Sequence, residues 1–175
     1  MLTRSIVLIG LTGSGKTTVG KRLSKQLSCP FIDTDDVVSE TAGLAVRDIF
    51  EREGESAFRA LESNALQEIL ADDTPKVVAA AGGVVLAEQN RRSIQEANAH
   101  VIWLDADPKS LLKRISIGGH RPLLDNNPAA TLKAMSAERR GLYAELADLR
   151  VDANGRDINA IVKLVFEFVM ARGTS

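Results

Sequence analysis

A glycine-rich loop close to the N-terminus constrains the fold of this chain more than any other feature. Residues 10–17 read GLTGSGKT, which matches the phosphate-binding pattern G-x-x-x-x-G-K-[ST]. The glycines let the backbone curl until its N–H groups point inward at a phosphate. Lys16 adds a positive charge for the β- and γ-phosphates, and the Thr17 hydroxyl is a hard oxygen ligand suited to Mg²⁺. The motif predicts that the chain binds a nucleoside triphosphate together with Mg²⁺.

The segments on both sides of this loop have the patterns of a strand and a helix. Residues 4–9 (RSIVLI) form a short, β-branched apolar run, which is typical of a buried parallel strand. After the loop, Val19, Leu23 and Leu27 recur at helical spacing, so a bound phosphate would lie at a helix N-terminus. This context favours a phosphate site over an ordinary glycine-rich turn.

Strand-like and helix-like segments alternate along the rest of the chain. The strand-like runs lie at residues 4–9, 30–33, 76–80, 100–104 and 149–152. Helical patterns of ten or more residues separate them, which implies βαβ units and a parallel sheet with helices on both faces. No internal repeat or linker divides the sequence. We therefore expect an α/β fold of three layers, α/β/α, with residues 1–175 forming a single domain.

Composition excludes several classes of protein. A formal net charge of −1 and a pI near 6.1 argue against a nucleic-acid partner, and no stretch approaches the ~20 apolar residues of a membrane span. The N-terminal apolar run ends in the phosphate loop without a signal-peptide cleavage site. A single cysteine, Cys29, forms no internal disulfide and suits a reducing compartment. The sequence predicts a cytoplasmic protein without a membrane partner.

Three aspartates follow the second predicted strand, at Asp33, Asp35 and Asp36. Within a strand, Asp33 and Asp35 would point the same way and both would face one site. One carboxylate would then act near Mg²⁺, and the other would accept the proton of a substrate hydroxyl. The alternative is that Asp36 or a neighbour caps the next helix. Both roles remain open because three carboxylates are available.

Two further segments contain glycines where a ligand would approach. Ala81-Gly82-Gly83 follows the third strand, and its N–H groups are free to donate, although paired glycines also form ordinary strand-to-helix turns. Residues 118–124 (GGHRPLL) interrupt the helical pattern around Arg121. Such a segment is typical of a mobile lid with a cation for the transition state, and an inert surface loop is the alternative.

Two arginines outside these loops are candidates for binding an anion. Arg59 lies on a predicted helix with Glu55 at i−4 and Glu62 at i+3, which also fits an ordinary surface ion-pair ladder. Arg139 falls on the apolar face of a later helix, where a charge needs a buried carboxylate or an anionic ligand. The planar guanidinium of arginine suits a carboxylate bound through two hydrogen bonds.

Together these motifs resemble shikimate kinase over nearly the whole chain. The matching segments, in order, are GLTGSGKTTVGKRL, FIDTDD, F-x3-GE-x2-FR-x2-E (Phe50 to Glu62), AGGVV, RPLL and ERRGLY. The phosphate loop occurs in many kinases, whereas the order and spacing of the other segments are more diagnostic. The resemblance implies a sheet order of 2-3-1-4-5, a substrate-binding region at about 34–62 and a mobile lid at about 116–126.

The resemblance also implies an activity and a set of site residues. The activity is transfer of the γ-phosphoryl group of ATP to the 3-hydroxyl of shikimate, in chorismate and aromatic amino acid biosynthesis, with Mg²⁺ as cofactor and the enzyme a monomer. The residues implied for ATP are Gly13, Ser14, Gly15, Lys16, Thr17, Thr18, Arg114, Arg121 and Arg156. Those implied for shikimate are Asp35, Arg59, Gly82, Gly83 and Arg139. Thr17 and, through water, Asp33 would hold Mg²⁺, and the catalytic residues would be Lys16, Asp35 and Arg121.

Two departures from the family pattern and two alternative functions are to be weighed. Ala81 replaces the first of three family glycines, and Gly141 replaces a proline two residues after Arg139; Arg140 leaves some ambiguity about which arginine binds substrate.

Another small-molecule kinase, of gluconate or of a nucleoside monophosphate, is the nearest rival enzyme, and gluconate also carries a carboxylate. A nucleotide-binding regulator without catalytic activity is the rival of a different class.

Overall fold

The central feature of the computed structural model, which describes residues 2–115 and 127–172, is a five-stranded parallel sheet. Its strands are β1 (Ser5–Ile9), β2 (Phe31–Asp33), β3 (Val77–Ala79), β4 (Ala99–Asp105) and β5 (Leu149–Asp152). They lie in the order β2-β3-β1-β4-β5, with β1 paired to β3 on one side and to β4 on the other. The predicted α/β class and strand order are confirmed.

The helices form two packed groups around this sheet. Within the described ranges they are α1 (Lys16–Leu27), α2 (Thr34–Ala42), α3 (Val46–Ala71), α4 (Glu88–Glu96), α5 (Pro108–Ile115), α6 (Pro128–Leu146) and α7 (Ile158–Arg172). Helices α1 and α7 pack together, whereas α3 packs on α4 and α4 packs on α6, which also contacts α5. This grouping agrees with the predicted three-layer architecture.

The sheet interior accounts for the apolar runs in the sequence. Ile6, Val7, Leu8 and Ile9 of β1 are almost fully buried, and all seven residues of β4 are buried. Central strands of a parallel sheet are covered on both faces, so their sequences are largely apolar, although β4 also buries His100 and Asp105. Because the strands run in one direction, the segments that follow β1, β2 and β3 meet at one edge of the sheet.

A break within α3 divides that helix into two parts. Gly54 has φ of 83° and ψ of 173°, a conformation that a residue with a Cβ adopts only with strain. A small apolar cluster packs on both sides of the break and consists of Val38, Ile49, Phe58 and Ala65. The break therefore sets the direction of the second part of α3, which carries Arg59 and Glu62.

Membrane insertion through a helix finds no support in the described ranges, where every helix is too short or too polar to cross a bilayer.

Candidate active site

A cavity of about 460 Å³ opens at the carboxyl edge of the sheet. Fifteen residues line it: Thr12, Gly13, Gly15, Lys16, Thr17, Thr18, Asp33, Asp35, Ala79, Ala80, Ala81, Gly82, Arg114, Arg156 and Ile158. Most of the residues expected to bind nucleotide or metal are thus brought together. Of the residues expected to bind the acceptor, Asp35 and Gly82 line the cavity, whereas Arg59, Gly83 and Arg139 do not.

The phosphate loop has the backbone geometry that its sequence predicts. Gly10, Gly13 and Gly15 have φ of 141°, 79° and 101°, which glycine adopts without strain. A Cβ at Gly10 would also lie 2.6 Å from the carbonyl oxygen of Leu104. Gly15 is the N-cap of α1, and the first turn of that helix has no acidic residue. Its N–H groups therefore offer a favourable site for an anion.

Lys16 and Ser14 hold this loop together. The Nζ of Lys16 donates to the carbonyl oxygens of Gly10 (2.8 Å) and Leu11 (3.0 Å), and the buried Ser14 donates its amide to Leu11 O (3.1 Å). The ammonium group is thus fixed at the mouth of the loop. Arg114 lies on the other side, with Nη1 3.4 Å from Ser14 O.

Thr17 and Asp33 provide oxygen atoms suited to Mg²⁺. The Thr17 hydroxyl donates to Asp33 Oδ2 at 2.7 Å, so the two groups share one position beside the loop. No group of three or more His, Cys, Asp or Glu side chains gathers as a metal site anywhere in residues 2–115 and 127–172. A hydroxyl and a single carboxylate fit Mg²⁺ well, since this ion usually keeps several waters and binds substrate phosphates.

The expectation that Asp33 and Asp35 alternate along one strand is wrong. Strand β2 ends at Asp33, and α2 begins at Thr34. Asp33 is the N-cap of α2, where its Oδ1 accepts the Asp35 N–H at 3.1 Å, so a capping role coexists with the contact to Thr17. The buried Thr34 accepts the Ala81 N–H at 2.8 Å and thereby ties this turn to the end of β3. Both carboxylates still border the cavity.

Arg59 contacts both predicted glutamates, but its partner Glu62 is buried and Arg59 itself is only partly exposed. Arg59 Nη1 lies 2.6 Å from Glu62 Oε2, and Glu62 is only 2% exposed. Arg59 also contacts the exposed Glu55 at 3.2 Å. The pKa of Glu62 is raised to about 7, chiefly by burial and to a smaller extent by the charge of Asp35, while the charges of Arg59 and Arg139 oppose the increase. Four charged groups therefore act on one another at this place.

Arg139 lies beside this ion pair on α6, and only 6% of it is exposed. Its Nε is 3.4 Å from Glu138 Oε2, and its positive charge lowers the pKa of both Glu62 and Tyr143. Burial has the larger effect on Tyr143 and raises the pKa of its phenol. The Tyr143 hydroxyl donates to Gly82 O at 2.6 Å, which connects this cluster to the cavity wall.

Gly82 and Gly83 separate the phosphate loop from the charged cluster. A Cβ at Gly83 would lie 1.9 Å from Arg59 Nη1, so the guanidinium packs directly on this glycine. A Cβ at Gly82 would lie 3.2 Å from Gly10 O, on the loop side. Because neither residue has a Cβ, Arg59 packs closely on Gly83 and the phosphate loop packs closely on Gly82.

The arginine that follows Arg139 has a different partner. Arg140 donates to both carboxylate oxygens of Asp105, at 3.0 and 2.9 Å. Arg139 is therefore the arginine of this pair that lies near Glu62. The sequence analysis did not find Asp105 or Tyr143, and it took Glu62 only as an ion-pair partner. The i, i+3 and i, i+4 spacings of Glu62 from Arg59 and of Tyr143 from Arg139 were the available signals.

The predicted lid, residues 116–126 with Arg121, lies outside the described residues.

Comparisons with known proteins agree with this geometry. A shikimate kinase from Symbiobacterium thermophilum is 41% identical over 172 residues, 97% of this chain and 98% of that protein. One from Moorella thermoacetica is 40% identical over 95% of each chain. The structure of shikimate kinase from Acinetobacter baumannii in complex with shikimate superimposes with a TM-score of 0.91 at 29% identity, over 97% of this chain and 94% of that one.

A gluconokinase from Sinorhizobium meliloti shares the fold, with a TM-score of 0.65 at 21% identity over 97% of this chain and 93% of that one. The family model described as "Shikimate kinase" matches residues 12–170. The chain belongs to the shikimate kinase family.

Proposed function

We propose that this protein transfers the γ-phosphoryl group of MgATP to the 3-hydroxyl of shikimate and yields shikimate 3-phosphate for chorismate and aromatic amino acid biosynthesis. Its family consists of ATP-dependent kinases that act on a hydroxyl of shikimate. One observation carries the proposal: the phosphate loop and the cluster of Arg59, Glu62 and Arg139 meet on opposite sides of Gly82 and Gly83. We propose that an acceptor with a carboxylate and a hydroxyl binds here, with its hydroxyl towards the phosphate loop and its carboxylate towards the two arginines.

On the nucleotide side, ATP would be bound mainly by backbone groups. The N–H groups of residues 13–18 at the start of α1 would cradle the phosphates, with Lys16 supplying charge to the β- and γ-phosphates. Arg114 and Arg156 border the cavity and are proposed to flank the adenine. Thr17 and, through water, Asp33 would hold Mg²⁺, which supplies neutralisation of the phosphate charge when bound.

On the acceptor side, the two arginines would bind the carboxylate of shikimate. The guanidinium of Arg59 is held by Glu62, and Arg139 is largely buried beside it, so both cations are oriented before substrate binds. Gly82 and Gly83 would form the floor of this pocket. Asp35 lines the cavity, and it would accept the proton of the 3-hydroxyl as the phosphoryl group is transferred.

Arg121 completes the proposed catalytic set. As the cation of a lid at about 116–126, it would close over the phosphates and stabilise charge in the transition state. Residues 34–62 would form the substrate-binding region, and residues 1–175 would work as one kinase domain. Most of the acceleration would come from positioning the substrates and neutralising the phosphate charge, because the protein takes little part in covalent chemistry during phosphoryl transfer.

The reaction is tested by measuring ADP release with shikimate, with gluconate and without an acceptor. We expect Mg²⁺-dependent turnover with shikimate and negligible turnover without an acceptor, and the product should carry phosphate on the 3-hydroxyl by NMR. Comparable turnover with gluconate would favour the rival kinase. Nucleotide binding without turnover of any acceptor would favour a regulator.

We further propose that the enzyme acts in the cytoplasm as a monomer. Its co-substrate ATP is abundant there, and its single cysteine suits a reducing compartment. Sedimentation of the purified protein should give the mass of one chain, and a larger assembly would contradict the monomer.

A further inference from the structure

A second charged cluster lies at the end of β4, outside the residues assigned to the reaction. Asp105, which is 6% exposed, accepts two hydrogen bonds from Arg140 of α6 and one from Arg150 Nε of β5 at 2.8 Å. Both guanidinium groups also lie over the ring of Trp103, at 5.3 and 5.0 Å from its centroid. We call Trp103, Asp105, Arg140 and Arg150 the Asp105 cluster.

The Asp105 cluster restrains the rotation of α6 at the position of Arg139, in addition to the hydrogen bond from Tyr143 to Gly82 O. Consecutive helical residues point about 100° apart, so Arg140 faces Asp105 while Arg139 faces Glu62 and Tyr143. Two parallel hydrogen bonds between a guanidinium and a carboxylate define direction as well as distance. Any rotation of this turn about the helix axis would break them and would also move the Arg139 side chain.

The turn of α6 that carries Arg139 and Arg140 also contains a residue that destabilises the helix. Gly141 lies within the helix directly after Arg140, and glycine lowers the stability of a helix because of its conformational freedom. Nothing lies within 4 Å of the position that a Cβ would take there, so packing does not require glycine. The turn that carries Arg139 is therefore held by contacts from outside the helix.

We propose that Arg140, bound by Asp105, is a positioning residue that keeps Arg139 directed at the shikimate carboxylate. The inference rests on the proposed role of Arg139. Arg150 provides a matched comparison, because it binds the same carboxylate and the same ring but belongs to β5. Arg140 and Arg150 are also similarly exposed, at 47% and 55% of their side chains. Only the loss of Arg140 removes a contact of α6.

The experiment compares Arg140→Ala with Arg150→Ala by steady-state kinetics and thermal unfolding. We expect Arg140→Ala to raise KM for shikimate about fivefold or more, with kcat and KM for ATP within about twofold of wild type. Arg150→Ala should leave all three constants within about twofold, while both variants lower Tm to a similar extent. Equal KM values for shikimate in the two variants, or an equal rise in KM for ATP, would overturn the proposal.

A rescue separates positioning from a general loss of stability. Adding Gly141→Ala to Arg140→Ala stiffens the same turn without a steric clash, so KM for shikimate should return most of the way to the wild-type value. Failure of this rescue would show that Gly141 is not the weakness that Arg140 compensates. Turnover of shikimate by the wild-type protein tests the proposed function separately, and if it is absent the inference is rejected with it.

Discussion

The proposed nucleotide side and acceptor side of the cavity consist of different chemical groups. On the nucleotide side, residues 10–17 form the site from backbone groups, glycine dihedral angles and the start of one helix. On the proposed acceptor side, Arg59, Glu62 and Arg139 contribute side-chain charges that are largely buried. The first arrangement lies within eight consecutive residues, whereas the second joins two helices that are about eighty residues apart in sequence.

This difference separates general from specific recognition. Backbone N–H groups recognise any phosphate, and for that reason the loop motif is shared by many kinases. Buried charged side chains are costly to leave unpaired, so a pocket of that kind rejects an acceptor without the complementary group. Substitutions on the two sides should therefore affect the two substrates independently.

The largest effect is expected at Asp35, where the two sides meet. Asp35→Asn keeps the shape of the side chain but removes the proposed proton acceptor, so kcat should fall by about 10²- to 10⁴-fold while KM for ATP changes little. The neighbouring Asp36, which is also exposed on α2, provides the control. Asp36→Asn should have near wild-type kinetics, and a small effect of Asp35→Asn on kcat would exclude Asp35 as the base.

A smaller effect, but a more selective one, is expected from the two glycines between the sides. An alanine at position 83 would have its Cβ 1.9 Å from Arg59 Nη1, so this flexible side chain must move while the fold is retained. We expect Gly83→Ala to raise KM for shikimate about tenfold or more with little change in KM for ATP. Gly82→Ala, whose Cβ would press on Gly10 O at 3.2 Å, should instead raise KM for ATP. A rise in KM for the same substrate in both variants would contradict the separation of the two sides.

The buried carboxyl of the acceptor side should also show in the pH dependence of stability. The pKa of Glu62 is raised from 4.5 to about 7, chiefly by burial, so the folded state binds this proton more tightly than the unfolded state does. The resulting stabilisation is complete below pH ~4.5 and is lost as the pH rises through about 7. A shift of this size corresponds to about 3 kcal/mol in the free energy of unfolding.

Denaturant unfolding of wild type and Glu62→Gln between pH 4.5 and 8 measures this contribution. The stability of wild type relative to Glu62→Gln should decline across that range, because glutamine does not titrate. Glu55→Gln is the matched control, since Glu55 contacts the same arginine but is exposed. Its difference from wild type should stay within ~0.5 kcal/mol at every pH. A constant difference between wild type and Glu62→Gln would show that the Glu62 pKa is not raised.

Sequence patterns predicted the parts of this molecule that depend on near neighbours. The strands and the phosphate loop follow from apolar runs and glycines, and the sheet order follows from the resemblance to the shikimate kinase family. Strand β2 ends at Asp33 as predicted, but the start of α2 at Thr34 was not, because Asp33 and Asp35 suit a strand and a helix start equally well. The choice between them depends on contacts such as that of Thr34 with Ala81, 47 residues away.

The acceptor side could be predicted only in outline. Helical spacing identifies Glu62 as a partner of Arg59 but cannot reveal that it is almost fully buried, since burial depends on α6 and the end of β3. The bond between Asp105 and Arg140 joins residues 35 positions apart, without a local pattern that marks either one. Such contacts are set by tertiary packing rather than by periodicity.

The most direct test of independent recognition is calorimetric binding of MgADP and of shikimate to Lys16→Ala and Arg59→Lys. Lys16→Ala should weaken MgADP binding at least about tenfold and leave the Kd for shikimate within about twofold. Arg59→Lys keeps the charge but loses the planar fork, so it should weaken shikimate binding about tenfold and leave the Kd for MgADP within about twofold. Loss of both ligands in either variant would contradict the account, because it would show that the two sides form a single interdependent site.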